Sequence, residues 1–422
     1  MAAMSEKARG ASPLLGALVA SLLALAACAG SGSPSGGGGQ GGSPIKVGFV
    51  LPQSGVFAPN GQDEQDGWNL AIKDTGDTVN GRKIQTSFVD DAADPNQGLT
   101  AARQLVETQN VDLLVGPLAA NVGLAVRPYV AGQGIPTVYI SACSDELATS
   151  EKASNLVLTG WTCDQPTLNF GKYVYEKLGY RHVTTVAMDY AFGWQVTGGF
   201  VSTFKAAGGK IDRQIWAPIN APDYSPYVSQ IPRDTDAVFD LAAGSAAIRF
   251  TDAYRQFGLK DKIPLIGGGT MTDYSVLRSQ APDTVLGAIT VLQYADGLDT
   301  PENRKFVEAY RAATNKFPSY YAETAYATYK LLYSVLKRTN GNTKDRASIV
   351  KYLKTTQFQA PRGPVSINQE TNSPIQNIYV RKVQMVDGAL RNVVVDTIKQ
   401  SQPWGPLKKS DWEAQAAHYQ RT

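Results

Sequence analysis

Short runs of β-branched and aromatic residues alternate along this chain with longer stretches in which apolar positions recur every three or four residues. The run IKVGFVL predicts a strand, followed by a helical stretch beginning near Gly61, GQDEQDGWNLAIKDT. KIQTSFVDD predicts the next strand, and Asp94-Pro95 opens a helix over NQGLTAARQLVETQ. VDLLVGP, a helix around VGLAVRPYVAGQ, and IPTVYIS complete this first set. After Trp161 the same grammar restarts. HVTTVAMD precedes GWQVTGGFVSTFKAAG, IDRQIWAP precedes YSPYVSQI, TDAVFDLAAG precedes AAIRFTDAYRQFG, and IPLIGGG follows. Strands separated by helices of about 10–15 residues predict parallel sheets covered on both faces. The expected fold class is α/β, with two doubly wound, Rossmann-like lobes.

The C-terminal third departs from that alternation. LGAITVLQY is one more strand, and helices then dominate through TPENRKFVEAYRAATNK, YAETAYATYKLLYSVLKRT and DRASIVKYLKTT. The end, IYVRKVQMVDGALRNVVVDTI, reads as a hairpin turning at Asp387-Gly388. A chain that returns to earlier lobes crosses between them several times, which makes a hinge. The predicted division is residues 45–162 and 292–365 in lobe 1, residues 163–291 and 366–400 in lobe 2, and residues 401–422 as a C-terminal tail. In open α/β sheets the ligand crevice lies beyond the C-terminal ends of the strands. Residues just after each strand are therefore the ones to inspect.

The first residues follow another pattern. Lys7 and Arg9 precede an uncharged apolar stretch, Leu14 to Ala27, of signal-peptide length. Leu25-Ala26-Ala27-Cys28 matches the bacterial lipobox, so residues 1–27 are expected to be a lipoprotein signal peptide and Cys28 the lipidated residue. Residues 28–44 then form a glycine- and serine-rich tether. The chain is expected on the outer face of the cytoplasmic membrane, held there through its lipid anchor. With Cys28 acylated, Cys143 and Cys163 remain, twenty residues apart. They are either bridged or two buried thiols, and no zinc-type spacing occurs.

Composition excludes more than it suggests. A net charge of +3 on 422 residues, with no long basic run, gives no footprint for nucleic acid. Neither His182 nor His418 looks like a general base, and no H-E-x-x-H, G-x-S-x-G or P-loop motif occurs. The cluster Asp90, Asp91 and Asp94 reads as strand-end and helix-cap chemistry. The chain is therefore not expected to be an enzyme, and no cofactor or metal is called for.

Binding signals are subtler. PQSGVFAPNG, GPLAANVG and SACSDE each run from a strand toward a helix N-terminus. Such ends offer unpaired N–H donors suited to a carboxylate, and each also reads as a plain helix cap. In the second half MDYAFGW places Tyr190 and Phe192 directly after a strand, while LAAGSAA and IGGGTMTDY end strands in small residues. Aromatics facing small residues predict a roomy, mostly apolar pocket, with Phe192 equally suited to the core. PSYYAETAY, around Tyr320, sits at helical spacing and reads as packing.

Lipobox, glycine-rich tether, IKVGFVLPQSG, DDAADPNQ, VDLLVGP, IPTVYIS, MDYAFG, YSPYVSQI, IPLIGGG and DTPENRKF in this order resemble the leucine/isoleucine/valine-binding protein family. These are type I periplasmic binding proteins that feed ABC importers. The resemblance spans residues 45–400 and implies two lobes joined by three crossovers, closing on a small ligand. It implies an ABC permease and ATPase as partners and a monomeric binding protein. By position, the loop around Asn60 and the segment Ala119, Ala120 and Asn121 would line the first lobe's wall. Ser141, Ala142 and Cys143 match the segment that holds a ligand carboxylate; Phe192, Ser245 and Gly269 match contact positions on the second lobe. Two departures stand out. Members that bind aliphatic amino acids carry an acidic residue where this chain has Gly269, and a hydroxyl where it has Ala120. An ammonium group without a buried counter-ion is costly. The pattern looks more like members that take up aromatic or short acyl carboxylates. A ligand sensor for a signalling receptor and an aliphatic amino acid binder are the alternatives within this fold, and an exported hydrolase is the alternative outside it.

Overall fold

The computed structural model describes residues 42–416; the signal peptide, Cys28, most of the tether and His418 lie outside the described residues. The first sheet is built from β1 (Ile45–Leu51), β2 (Thr78–Val79), β3 (Arg82–Asp90), β4 (Leu113–Val115), β5 (Thr137–Tyr139) and β6 (Leu156–Leu158), in the order β2-β3-β1-β4-β5-β6. All neighbours pair in parallel except β2, which runs antiparallel to β3. Helices α1 (Ala58–Thr75), α2 (Pro95–Arg103) and α3 (Ala120–Gln133) connect these strands. The apolar runs are continuous because these strands are buried on both faces; β4, β5 and β6 expose nothing. Asp94 caps α2 by accepting the N–H groups of Asn96 and Gln97, and Asp90 accepts those of Gln53 and Ala92. The acidic cluster is capping chemistry, as its sequence position suggests.

The chain then crosses over and enters α4 (Gln165–Glu176). The second sheet begins with β7 (His182–Met188), α5 (Ala191–Ala206), β8 (Lys210–Ala217), the single turn α6 (Ser225–Val228), β9 (Ala237–Leu241), α7 (Ser245–Gln256) and β10 (Leu265–Gly268). Two more single turns, α8 (Tyr274–Leu277) and α9 (Pro282–Val285), lead to β11 (Ile289–Leu292). A second crossing brings α10 (Pro301–Thr314), α11 (Tyr320–Arg338) and α12 (Arg346–Thr355) back to the first lobe. There Trp68 of α1 meets Tyr329 of α11 at 5.0 Å, edge to face. Gly67 lets the two helix backbones touch, since a Cβ there would lie 2.1 Å from the Ala322 carbonyl oxygen.

A third crossing feeds β12 (Phe358–Ala360), β13 (Gly363–Asn368), β14 (Ser373–Val386) and β15 (Ala389–Ser401), followed by α13 (Lys409–Ala416). The second sheet runs β12-β13-β14-β11-β10-β9-β7-β8, with β15 paired to β14. Asp387 and Gly388 both take positive φ at the hairpin turn, as the two-residue signal predicts. The α/β class with two doubly wound halves is borne out.

Two details differ from the sequence expectation. Phe358 pairs with Val365, and Ile367 with Pro374, so the chain joins the second sheet ahead of residue 366. The region from 401 onward is not all loose tail: Trp412 is fully buried, and its indole N–H donates to Asp164 Oδ2 at 2.7 Å. One buried arginine ties the first crossing to the third and to α11. Arg362 pairs with Glu323 of α11 at 2.6 Å, donates to the Thr159 carbonyl at 2.6 Å, and reaches Gln376 of β14 at 2.9 Å. Gln376 in turn donates to the Gly160 carbonyl.

Candidate ligand-binding site

The strand ends of both sheets face one cleft, and the cleft is shut. The Ser245 N–H points at the Val56 carbonyl (3.4 Å), Asn60 Nδ2 donates to Ser275 Oγ (2.9 Å), and the Asp145 N–H donates to Gln195 Oε1 (2.9 Å). Arg278 closes the rim on Asp63 at 3.1 Å. Gly244 permits this approach: it sits at φ +57°, and a Cβ there would lie 2.4 Å from the Val56 carbonyl oxygen.

Inside the shut cleft is a small cavity of about 20 Å³. That is room for about one water molecule, far below the roughly 300–1,000 Å³ of occupied small-ligand sites, so the side chains of the two lobes nearly fill the shut cleft themselves. Its first-lobe wall is Phe57, Leu118, Ala119, Ala120, Ser141 and Cys143; Tyr190, Phe192 and Ala243 face it from the second lobe; Trp161, Tyr320 and Tyr321 complete it. Trp161 stands edge to face with both Phe192 (5.8 Å) and Tyr320 (5.6 Å), and Tyr190 lies 5.8 Å from Phe192. Such edge-to-face and tilted contacts are the preferred geometry of aromatic pairs. Trp161, Tyr320 and Tyr321 are 2–3% exposed, so a ligand reaches them only when the lobes part.

The polar end is the first-lobe wall. Helix α3 starts at Ala120 with Ala119 as its N-cap, and no side chain caps it. Its first-turn N–H groups thus lack intrahelical acceptors and carry the positive end of the helix dipole. Ser141 adds a hydroxyl, bonded to Glu64 Oε1 at 2.5 Å, and Trp161 Nε1 steadies the segment by donating to the Ser141 carbonyl at 3.2 Å. Cys143 and Cys163 form a disulfide, and Cys143 lies in the pocket wall. Among the described residues, no lysine, arginine, histidine, aspartate or glutamate lines the cavity.

The residues expected at the site fall into three groups. Ala119, Ala120, Ser141, Cys143, Tyr190 and Phe192 line the cavity. Asn60 and Ser245 clasp the lobes above it instead. Asn121, Ala142 and Gly269 lie outside the lining: Asn121 is in the first turn of α3, and Ala142 packs against Gly123. Gly269 faces β11, where a Cβ would meet Leu292 Cβ at 2.5 Å and Arg381 Nη2 at 2.6 Å. Tyr320 packs in the core as its spacing suggests, and with Tyr321 it also borders the cavity, because Ser319 caps α11 and its first turn lies at the cleft. The pocket is also tighter than expected, and its rings come from both lobes rather than one. Phe57, Leu118 and Ala243 come from the loops PQSGVFAPNG, GPLAANVG and LAAGSAA, and Trp161 and Tyr321 join them without being named by the sequence pattern; Leu118, Trp161 and Ala243 lie within three residues of a strand end.

A family model described as periplasmic binding protein matches residues 44–389. The chain belongs to this family. The binding protein is 33% identical over 371 residues to Leu/Ile/Val-binding protein homolog 6 of Brucella melitensis, covering 85% of this chain and 93% of the relative. Among solved structures it resembles a solute-binding protein of an ABC transporter from Rhodopseudomonas palustris in complex with 3,4-dihydroxybenzoic acid. That match has a TM-score of 0.81 and 30% identity, over 86% of this chain and 98% of the other. A second R. palustris solute-binding protein, in complex with 4-hydroxybenzoate, gives a TM-score of 0.81 at 27% identity, over 87% and 100% of the two chains. The fold is that of the type I periplasmic binding proteins, and the binding protein is a solute-binding component of the ABC-transporter branched-chain amino acid family. Family members bind small molecules and work with a permease and ATPase; they are not enzymes. No helix among the described residues is long and apolar enough to cross a membrane.

Proposed function

We propose that this binding protein, anchored through lipidated Cys28 outside the cytoplasmic membrane, captures a small aromatic carboxylate by lobe closure and delivers it to an ABC permease. The observation that carries this reading is the pocket itself. Rings of Trp161, Phe192, Tyr190 and Tyr320 meet across the shut cleft with no charged side chain among the described lining residues, and an uncapped helix N-terminus with the Ser141 hydroxyl forms its polar end; the lobes part to admit the ligand between them. Charge-assisted bonds from N–H and O–H donors contribute about 1.5–3 kcal/mol each, enough to anchor a carboxylate without an arginine. The hydroxybenzoates named with the two R. palustris neighbours support the same class of ligand. The tether's composition supports the anchor: a glycine-rich chain lets the lobes reach the permease while staying at the membrane.

A second reading, an aliphatic amino acid ligand, draws on the name of the Brucella relative. It leaves the ligand's ammonium group without a carboxylate in the pocket lining. A thermal-shift screen separates the two. A ligand at 100 times its dissociation constant stabilises by about 2.7 kcal/mol. Benzoate or a hydroxybenzoate is expected to raise the melting temperature while leucine, isoleucine and valine do not; the reverse ranking overturns the proposal. Cys28→Ala is expected to leave the membrane fraction.

A further inference from the structure

We propose that Glu64 is the positioning residue of the anion-binding wall: as a neutral acid it donates its proton to Ser141 Oγ, which turns the Ser141 hydroxyl hydrogen into the pocket. This rests on the reading that the ligand carboxylate sits at that wall. Glu64 belongs to α1 and is not part of the lining. It is fully buried, its Oε1 lies 2.5 Å from Ser141 Oγ, and its Oε2 has no hydrogen-bond partner among the described residues.

The argument is a count of hydrogens. A serine hydroxyl has one hydrogen and two acceptor lone pairs. If Glu64 is ionised, that hydrogen is drawn to Oε1, and Ser141 presents only lone pairs to the pocket. A carboxylate ligand is then repelled. If Glu64 is protonated, its own hydrogen fills the 2.5 Å gap, and the serine hydrogen is free for the ligand oxygen. A buried oxygen with no partner among the described residues also fits a neutral acid far better than an anion.

The groups facing Glu64 point the same way. Burial pushes its carboxyl well above the ordinary range, and Asp91, at the end of β3, and Asp63, on its own helix, push it further; the Ser141 bond acts in the opposite direction. Asp63 is already held by Arg278 and Lys316. From α11 the phenols of Tyr320 and Tyr321 come within electrostatic reach of Glu64. Above the Glu64 pKa, binding of the anion must take up one proton from solvent, which goes onto Glu64. Affinity therefore holds at low pH and falls tenfold per unit as pH rises beyond that pKa.

Calorimetric titration of the full chain with 4-hydroxybenzoate across pH 5–9, in buffers of differing ionisation enthalpy, reads both the slope and the proton count. The wild type is expected to show the fall and an uptake of one proton where it occurs. Glu64→Ala is expected to lose about tenfold in affinity. Glu64→Gln, whose amide donates to Ser141 at any pH, is expected to recover binding with the pH slope gone. Asp91→Asn is expected to keep a slope. A slope that survives in Glu64→Gln, or a Glu64→Gln protein as weak as Glu64→Ala, overturns the proposal. A ligand-free arm stands apart from the identity of the ligand. The infrared C=O band of a protonated carboxylic acid is expected at pH 7 and is expected to lose intensity in Glu64→Gln; an unchanged band overturns the proposal. If no aromatic acid binds at any pH, the ligand assignment falls, and the infrared band still decides the state of Glu64.

Discussion

Phe192 and Tyr320 share a wall through Trp161, but they arrive there differently: one follows a strand of the second lobe, the other opens a helix that packs on the first. Each ring touches the cavity only when both lobes are in place. Phe192→Ala and Tyr320→Ala are therefore expected to weaken 4-hydroxybenzoate binding at least tenfold, about 1.4 kcal/mol. Unchanged affinity in both, measured by calorimetry, would return the two residues to the core. The sequence carries these two positions unequally. Phe192 is legible because it follows a strand end directly. Tyr320 is not, because a helix whose first turn enters a cleft has the same apolar spacing as one that only packs. Glu64 is hidden for a similar reason. Within GQDEQDGWNL it reads as one of several solvated acids, and only the packing of α1 against the Ser141 segment removes it from water. Gly269 misleads in the other direction, since a glycine gives no side chain by which to judge the direction it faces.

At the scale of elements, the closed form depends on the loop before α7 meeting the loop before α1. Gly244 is the contact point. A side chain there must displace the Val56 carbonyl and the Phe57 ring, 2.9 Å away, and must also hold a positive φ. Gly244→Val is expected to leave the ligand-free protein folded while weakening 4-hydroxybenzoate binding at least tenfold; calorimetry beside circular dichroism checks both. Wild-type affinity in that variant would show that the lobes close without this contact. The strands and most helices were legible because buried parallel strands are written as continuous apolar runs. The last segment was less so. Trp412 lies in a polar stretch, and its burial against Asp164 comes from the first crossing, more than two hundred residues earlier. Local pattern holds no record of such a contact.

For the molecule as a whole, the number of buried acids sets the response to pH. Burial lifts Asp91 to about 7 and Asp273 to about 6, and pushes Glu64 and Asp240 well above the ordinary carboxylate range. A carboxyl that holds its proton more tightly when folded contributes stability that is complete below the unfolded value, near 4, and is lost as pH rises through the folded one. The melting temperature is accordingly expected to be higher at pH 5 than at pH 8, and Asp91→Asn to narrow the difference. A melting temperature that climbs from pH 5 to pH 8 would contradict this. Arg362 ties the first and third crossings together and to α11, which braces the region about which the lobes turn. A ligand that touches both walls then favours the shut form by its differential affinity for it.

Small-angle X-ray scattering of the protein with and without 4-hydroxybenzoate tests that motion most directly. The radius of gyration is expected to contract on adding 4-hydroxybenzoate and to stay unchanged with leucine. Identical curves with and without the acid, or contraction with leucine alone, would contradict capture of an aromatic carboxylate by closing lobes.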